Sequence, residues 1–150
     1  MTATGHALVG ALIAGKVGDP FLMVSLSFLS HFPCDVLPHW DAGMHYKKKR
    51  ARRVFYEAVV DVLISFAASF LLFWYILGQR DLILLVVAVF AAQLPDWISF
   101  PYFLWKIKFP PFVIMNRIQE RIHNTLDAPW GVVTQVALVV VLYLLLYIVF

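Results

Sequence analysis

The segment SHFPCDVLPHWD, residues 30 to 41, places side chains that bind metals at the end of an apolar run. His31 and Asp35 are four residues apart, so they share one face of a helix as long as the bend at Pro33 is mild. Histidine nitrogens combined with carboxylate oxygens suit zinc, manganese or iron better than calcium. This segment therefore predicts part of a metal site.

Acidic and histidine side chains also occur at the matching ends of other apolar segments. Glu57 and Asp61 are four residues apart, and Asp61 lies about 6 Å deeper along a helix. Two carboxylates on one face repel each other, and a divalent metal relieves that repulsion most directly. The sequence thus predicts a site for a divalent metal, zinc or manganese in the first place. Its predicted ligands are His6, His31, Asp35, Asp61 and Asp96.

Two residues are candidates for catalysis rather than for metal binding. Glu57 is the best candidate for a general base, because it lies closer to solvent than the deeper acids, and His39 is the second catalytic candidate. Simpler interpretations stand beside both: Glu57 can pair with a neighbouring arginine, and water at the interface can satisfy His39 and Asp41. His123 is interpreted as a polar-face residue of an amphipathic helix.

The composition indicates a membrane protein. Of the 150 residues, 62% are hydrophobic and 14% are charged, and the mean hydropathy is +0.81. A typical soluble domain carries about 25% charged residues. One polytopic membrane domain over residues 1–150 is expected, with a first helix that is retained rather than cleaved as a signal peptide. The single Cys34 excludes a disulfide within the chain.

Apolar runs and helix breakers predict an all-α integral membrane bundle with about five membrane helices. The predicted membrane helices cover about 4–17, 21–37, 54–77, 82–103 and 130–150, and a predicted amphipathic interfacial helix covers about 113–126. Thr4 is the predicted N-cap of the first helix, and Pro33 and Pro95 are predicted kinks in the second and fourth. The first two helices are short for a full span, which needs about 20 residues.

The first four helices show a weak internal repeat. The second helix ends in HFPCD and the fourth in QLPD, so each ends with a proline followed within two positions by an aspartate. Two such hairpins in the same orientation would be related by an axis near the membrane normal. The predicted ligands would then meet where the two hairpins end.

Positive charge is concentrated on one side of this predicted bundle. All of the 12 lysines and arginines except Lys16 and Arg80 fall there. The positive-inside rule therefore predicts an inner-membrane protein whose N-terminus is cytoplasmic and whose C-terminus is outside. The basic segment Lys47–Arg53 is expected to attract anionic lipid headgroups, by about 1 kcal/mol per basic residue. No nucleic-acid partner is expected.

Three motifs resemble those of a known family. The Gly-His pair at 5–6, SHFPCDVLPHWD at 30–41 and Leu-Pro-Asp at 94–96 resemble the membrane-bound metal-dependent hydrolases, which are small bacterial and archaeal inner-membrane proteins. The resemblance covers the first four helices and implies that His6, His31, Asp35 and Asp96 are ligands. In this sequence Trp97 follows Leu-Pro-Asp, where the family usually has Asp-His.

The pattern and the resemblance together predict a membrane-embedded, metal-dependent hydrolase. Its substrate would be a lipid or another amphiphile, with a phosphate group as the best match, reached at the cytoplasmic face. The alternative is a non-enzymatic membrane carrier, or a structural or assembly subunit that keeps a buried polar cluster. A carrier would need a homo-oligomer to complete its path. The small residues Ser65, Ala68 and Ser69 suit either helix packing or a dimer contact.

Overall fold

Six α-helices make up the described part of the chain in the computed structural model, which covers residues 1–41, 43–45 and 48–149. In chain order they are α1 Ala3–Lys16, α2 Pro20–Val36, α3 Ala51–Leu71, α4 Leu82–Trp105, α5 Pro110–Ile122 and α6 Trp130–Leu144. Helices α3 and α6 each continue into a π-helical turn, Leu72–Ile76 and Leu145–Val149. The predicted all-α class is confirmed, because no described residue belongs to a β-strand. Lys47 and Phe150, which fell in predicted segments, lie outside the described residues.

Three helices are long and apolar enough to cross a membrane. They are Ala51–Ile76, Leu82–Trp105 and Trp130–Val149, with 26, 24 and 20 residues. Helices α1 and α2 have 14 and 17 residues, which correspond to about 21 and 26 Å. The hydrocarbon core of a bilayer is about 30 Å thick. These three helices are consistent with a membrane protein, whereas the five spans and the repeat of two hairpins stay predictions.

Helix α1 lies at the centre of the bundle, in contact with α2, α3, α4 and α6. Its small residues allow this: Ala7 and Ala11 are fully buried, and a Cβ on Gly10 would lie 2.9 Å from the carbonyl oxygen of Ala88 on α4. Small residues let helix backbones approach closely where lipid gives no hydrophobic drive. As a result, α1 carries His6 into the middle of the protein.

The N-terminus of α1 differs from its prediction. Thr2, not Thr4, is the N-cap, and its Oγ1 accepts a hydrogen bond from the Gly5 N–H at 3.0 Å. Thr4 donates its hydroxyl to Asp61 of α3 at 2.6 Å. The predicted cap was wrong because the Asp61 carboxylate of α3 binds the first turn of α1. A contact between two helices cannot be predicted from the local sequence of either one.

A backbone clamp holds the chain after α2 against the chain after α5. Asn124 donates its N–H to the Asp35 carbonyl at 3.0 Å, His39 donates to the Asn124 carbonyl at 3.0 Å, and Leu126 donates to the His39 carbonyl at 2.7 Å. Gly131 at the start of α6 closes the clamp, because a Cβ there would lie 2.1 Å from the Leu126 carbonyl oxygen. The clamp brings two distant parts of the sequence beside the end of α2.

The small-residue stripe on α3 packs within the chain. Ser65 and Ser69 are fully buried, and Gln93 of α4 donates a hydrogen bond to Ser65 Oγ at 3.0 Å. The sequence left open whether these small residues serve helix packing or a dimer contact, and the contacts of Ser65 match helix packing.

Candidate metal centre

Asp35 lies at the centre of a buried histidine cluster. His6 and His31 are at most 1% exposed and Asp35 is 2% exposed. Asp35 Oδ1 lies 3.2 Å from His6 Nε2, and Asp35 Oδ2 lies 3.3 Å from His31 Nε2. The two imidazole rings stack with their centroids 3.9 Å apart. The α-amino group of Met1 also contacts Asp35 Oδ1. Helices α1 and α2 therefore bring together three of the predicted ligands.

The hydrogen bonds of His31 determine which ring nitrogen carries the proton. Nδ1 lies 2.9 Å from the carbonyl oxygen of Ala92 on α4. A carbonyl can only accept, so Nδ1 donates, and in the neutral ring Nε2 holds a lone pair. That lone pair faces oxygens of Asp35 and Asp96 at 3.3 and 3.4 Å. Such groups repel unless a second proton or a shared cation lies between them.

The spacing of these atoms suits a shared cation. Ligand atoms about 2.0–2.1 Å from a tetrahedral zinc ion lie about 3.3–3.4 Å from one another. His6, His31 and Asp96 each offer one atom, and all three atoms lie within 4.8 Å of one another. Neither ring nitrogen of His6 has a hydrogen-bond partner among the described residues. We call His6, His31 and Asp96 the first group, and Asp35 borders it.

Gln119 on α5 completes the polar surroundings of the first group. Its Nε2 donates to Asp96 Oδ1 at 2.7 Å and lies 3.1 Å from His31 Nε2. The sequence interpretation had not singled it out. A signal was present, because Gln119 and His123 are four residues apart and so share a face of the amphipathic helix.

A second group consists of Asp35, His39 and His123, whose ligand atoms also lie within 4.8 Å of one another. The rings of His39 and His123 stack with centroids 4.6 Å apart. Burial lowers the pKa of His39 from 6.5 to about 4, so its ring is neutral at pH 7. His39, a predicted catalytic residue, thus lies beside predicted ligands. His123, which the sequence indicated to be a polar-face residue, packs against the ring of His39 instead.

Asp61, a predicted ligand, anchors a helix instead of joining either group. Its carboxylate accepts hydrogen bonds from the Ala3 N–H at 2.7 Å and from the Thr4 N–H at 3.1 Å. A carboxylate at a helix N-terminus satisfies free backbone donors and complements the helix dipole. Asp61 therefore holds α1, which carries His6, in place against α3.

Glu57, the predicted general base, lies in a basic environment away from both groups. Its oxygens accept from Lys49 Nζ at 2.7 Å and from Arg53 Nε at 2.8 Å. This is the pairing with a neighbouring arginine that the sequence left open. Among the described residues, Glu57 belongs to neither group of possible metal ligands.

A cavity of about 740 Å³ connects the cluster with an apolar wall. Its polar end includes Asp35, Asp96 and His123, and its apolar side includes Phe55 and Val59 of α3 with Phe100 of α4. Phe55 and Val59 are exposed on the protein surface. The cavity therefore offers a polar surface and an apolar surface side by side.

Comparison with known proteins gives no match. No protein-family model matches the chain, and neither does a curated protein or a solved structure. The resemblance of the three motifs to the membrane-bound metal-dependent hydrolases therefore stays a prediction. Conclusions about the function of the chain rest on the geometry of the cluster.

Proposed function

We propose that the chain is a membrane-embedded, metal-dependent hydrolase whose metal is held by the first group together with Asp35. Zinc or manganese is the proposed metal, because the donor set mixes imidazole nitrogens with carboxylate oxygens. When bound, such an ion supplies a Lewis acid and lowers the pKa of water.

One observation carries the proposal: His31 Nε2 lies 3.3 Å from an oxygen of Asp35 and 3.4 Å from an oxygen of Asp96, which is the spacing between ligands of one metal ion. The Ala92 carbonyl fixes the ring orientation from the opposite side. A hydrogen bond from the second ring nitrogen to a carbonyl is the usual support of a metal-binding histidine. A purely structural cluster would gain more from one histidine and one acid, because each additional buried charge costs free energy.

The proposed substrate is an amphiphile that carries a hydrolysable phosphate or ester group. The cavity places an apolar wall from α3 and α4 next to the cluster. Gln119 can orient a polar group there, since its amide already contacts both Asp96 and His31. The hydrocarbon part would lie against Phe55 and Val59, which are exposed where lipid surrounds the bundle.

The proposed membrane arrangement has five helices in an inner membrane. The cluster and the N-terminus are on the cytoplasmic side, and α1 and α2 form a hairpin whose first helix packs among the three longer helices. Arg50 and Arg52 are exposed near the start of α3, where they would attract anionic headgroups. Labelling of cysteines tests the sidedness: Arg52→Cys should react only from the cytoplasm and Gln79→Cys only from outside. The buried Cys34 should give no background.

Metal analysis combined with activity assays tests the hydrolase. Purified protein should contain zinc or manganese, and it should cleave a chromogenic phosphate monoester, phosphate diester or carboxylic ester that carries an acyl chain. Asp96→Asn should lower the rate by more than about 100-fold. Asp81→Asn is the matched control, since Asp81 lies at the other end of α4 and caps it.

The same variants separate the alternatives. Protein that is free of metal, with a lowered unfolding temperature in Asp96→Asn, would support a structural cluster and refute the hydrolase. Ion flux into liposomes that Asp96→Asn abolishes, without any hydrolysis, would support a carrier.

A further inference from the structure

We propose that the chain binds a second divalent metal ion, of the zinc or manganese class, through Asp35, His39 and His123, and that Asp35 bridges the two ions. Asp41 adds a carboxylate beside His123. The inference rests on the proposed function, because it adds a second ion to the same centre. It assigns His39 to metal binding instead of acid–base catalysis, and it gives a role to His123.

His39 presents a free lone pair toward Asp35. Its Nδ1 lies 2.7 Å from the Leu37 carbonyl oxygen and must donate there. Nε2 therefore carries the lone pair of the neutral ring, 3.8 Å from Asp35 Oδ1. This atom is buried and has no hydrogen-bond partner within the described part of the chain. A buried polar atom without a partner is costly, and a cation at this place removes the cost.

His123, whose ring stacks on that of His39, presents a second ring nitrogen. Its Nε2 is also buried and without a hydrogen-bond partner among residues 1–41, 43–45 and 48–149. It lies 3.6 Å from Asp41 Oδ2. The distances of 3.6 and 3.8 Å are slightly longer than the separation of about 3.3–3.4 Å between ligands of a tetrahedral zinc ion. Asp35, His39 and His123 thus offer three ligand atoms within 4.8 Å of one another, and Asp41 borders them at His123.

Asp35 belongs to both groups. Its Oδ2 faces His31 of the first group at 3.3 Å, while its Oδ1 lies between His6 at 3.2 Å and His39 at 3.8 Å. A carboxylate shared in this way fits two-metal sites, in which the ions are about 3.5–4 Å apart. One carboxylate at 2% exposure can then serve two ions.

The residues of this second group come from distant segments of the chain. The clamp of backbone hydrogen bonds among Asp35, Asn124, His39 and Leu126 holds the end of α2 beside the residues that follow α5. His123 lies at the junction of α5 and this clamp. Because backbone contacts fix both histidines, their stacking does not depend on flexible side chains alone.

The charges favour two ions and an anionic substrate. Asp35, Asp41 and Asp96 carry three negative charges when ionised, and the Met1 ammonium group on Asp35 Oδ1 offsets one of them, so that one divalent ion leaves the centre without net charge. Two divalent ions give it a net positive charge, so that the centre attracts a phosphate or carboxylate group. A two-metal centre can stabilise both the attacking and the leaving oxygen of a displacement at phosphorus.

Metal stoichiometry tests the inference without relying on activity. Full-length protein in detergent is loaded with zinc, freed of excess metal and analysed for zinc per chain. We expect two ions in the wild type, one in His123→Ala and one in Asp96→Asn. His45→Ala is the matched control and should keep two ions, because His45 is exposed and pairs with Asp127.

Manganese gives a second readout. The two-ion protein should show an exchange-coupled electron paramagnetic resonance spectrum, and His123→Ala should show the spectrum of an isolated ion. His39→Gln serves as the second variant if His123→Ala loses helix content by circular dichroism. One ion in the wild type that His123→Ala and His39→Gln both retain would overturn this inference and leave the proposed hydrolase intact. A wild type without any metal would overturn both.

Discussion

Asp61→Asn tests the conclusion that Asp61 anchors α1. In the wild type, its two oxygens accept from the Ala3 N–H at 2.7 Å, the Thr4 N–H at 3.1 Å and the Thr4 hydroxyl at 2.6 Å. Asparagine has the same shape but only one acceptor oxygen and no charge. At least one backbone N–H of the first turn of α1 would then face an amide NH₂ group.

The expected cost follows from these contacts. A hydrogen bond to a charged group contributes about 1.5–3 kcal/mol, and the carboxylate near the helix N-terminus adds about 0.3–1 kcal/mol. Asp61→Asn should therefore lower the free energy of unfolding by about 2.5 kcal/mol. For a chain of 150 residues this corresponds to a fall in unfolding temperature of about 5–10 °C.

Thermal unfolding in detergent, followed by circular dichroism, measures this shift, and metal analysis of the same samples measures bound zinc. Asp81→Asn is the control, because Asp81 caps α4 at an exposed position with two bonds of 3.1 Å. Asparagine is an equally good N-cap, so a change below about 0.5 kcal/mol is expected. If Asp61→Asn loses metal while its unfolding temperature stays unchanged, Asp61 is a ligand and the anchoring role is wrong.

Three further predictions concern the clamp, the polar surroundings and the metal. Gly131→Ala should lower the free energy of unfolding by about 1–3 kcal/mol, because its Cβ would lie 2.1 Å from the Leu126 carbonyl oxygen. Gly18→Ala, whose Cβ would have no atom within 4 Å, should be neutral. Denaturant unfolding of the two variants measures the difference. Gln119→Leu removes the donor to Asp96 and should destabilise the metal-free protein by about 1.5–3 kcal/mol, and an unchanged unfolding midpoint would contradict that contact. Chelation should lower the stability of wild-type protein by about 2.7 kcal/mol when free metal had stood at 100 times its dissociation constant, and a thermal scan with and without chelator shows whether it does.

The helical class and several residues of the cluster were predictable from local sequence. Hydrophobic runs separated by breakers such as Gly78 and Pro20 mark helices, because backbone groups in an apolar medium must bond within their own helix. The spacing of His31 and Asp35 by four residues places them on one face, and the structure keeps that contact at 3.3 Å. His6 and Asp96 joined them because polar residues in apolar helices need buried partners.

The roles of Asp61, Glu57 and His123 were not predictable from local sequence. Asp61 and Glu57 share one helix face, but one meets the N-terminus of α1 and the other meets Lys49 and Arg53. His123 looked like a surface residue, since only the backbone clamp brings it against His39. Each role depends on a partner from a remote segment.

The sequence by itself determined which residue types lie in apolar helices and which neighbours share a helix face, because periodicity along one helix is a local property. Only the tertiary structure decided which helices meet. The fully buried alanines and Gly10 of α1 let it take the centre of the bundle, and this packing sets the distances of His6 from Asp35 and of Asp61 from α1. Packing determines whether an acidic side chain lies beside histidines or beside a helix terminus, because it sets which remote segment contacts that side chain.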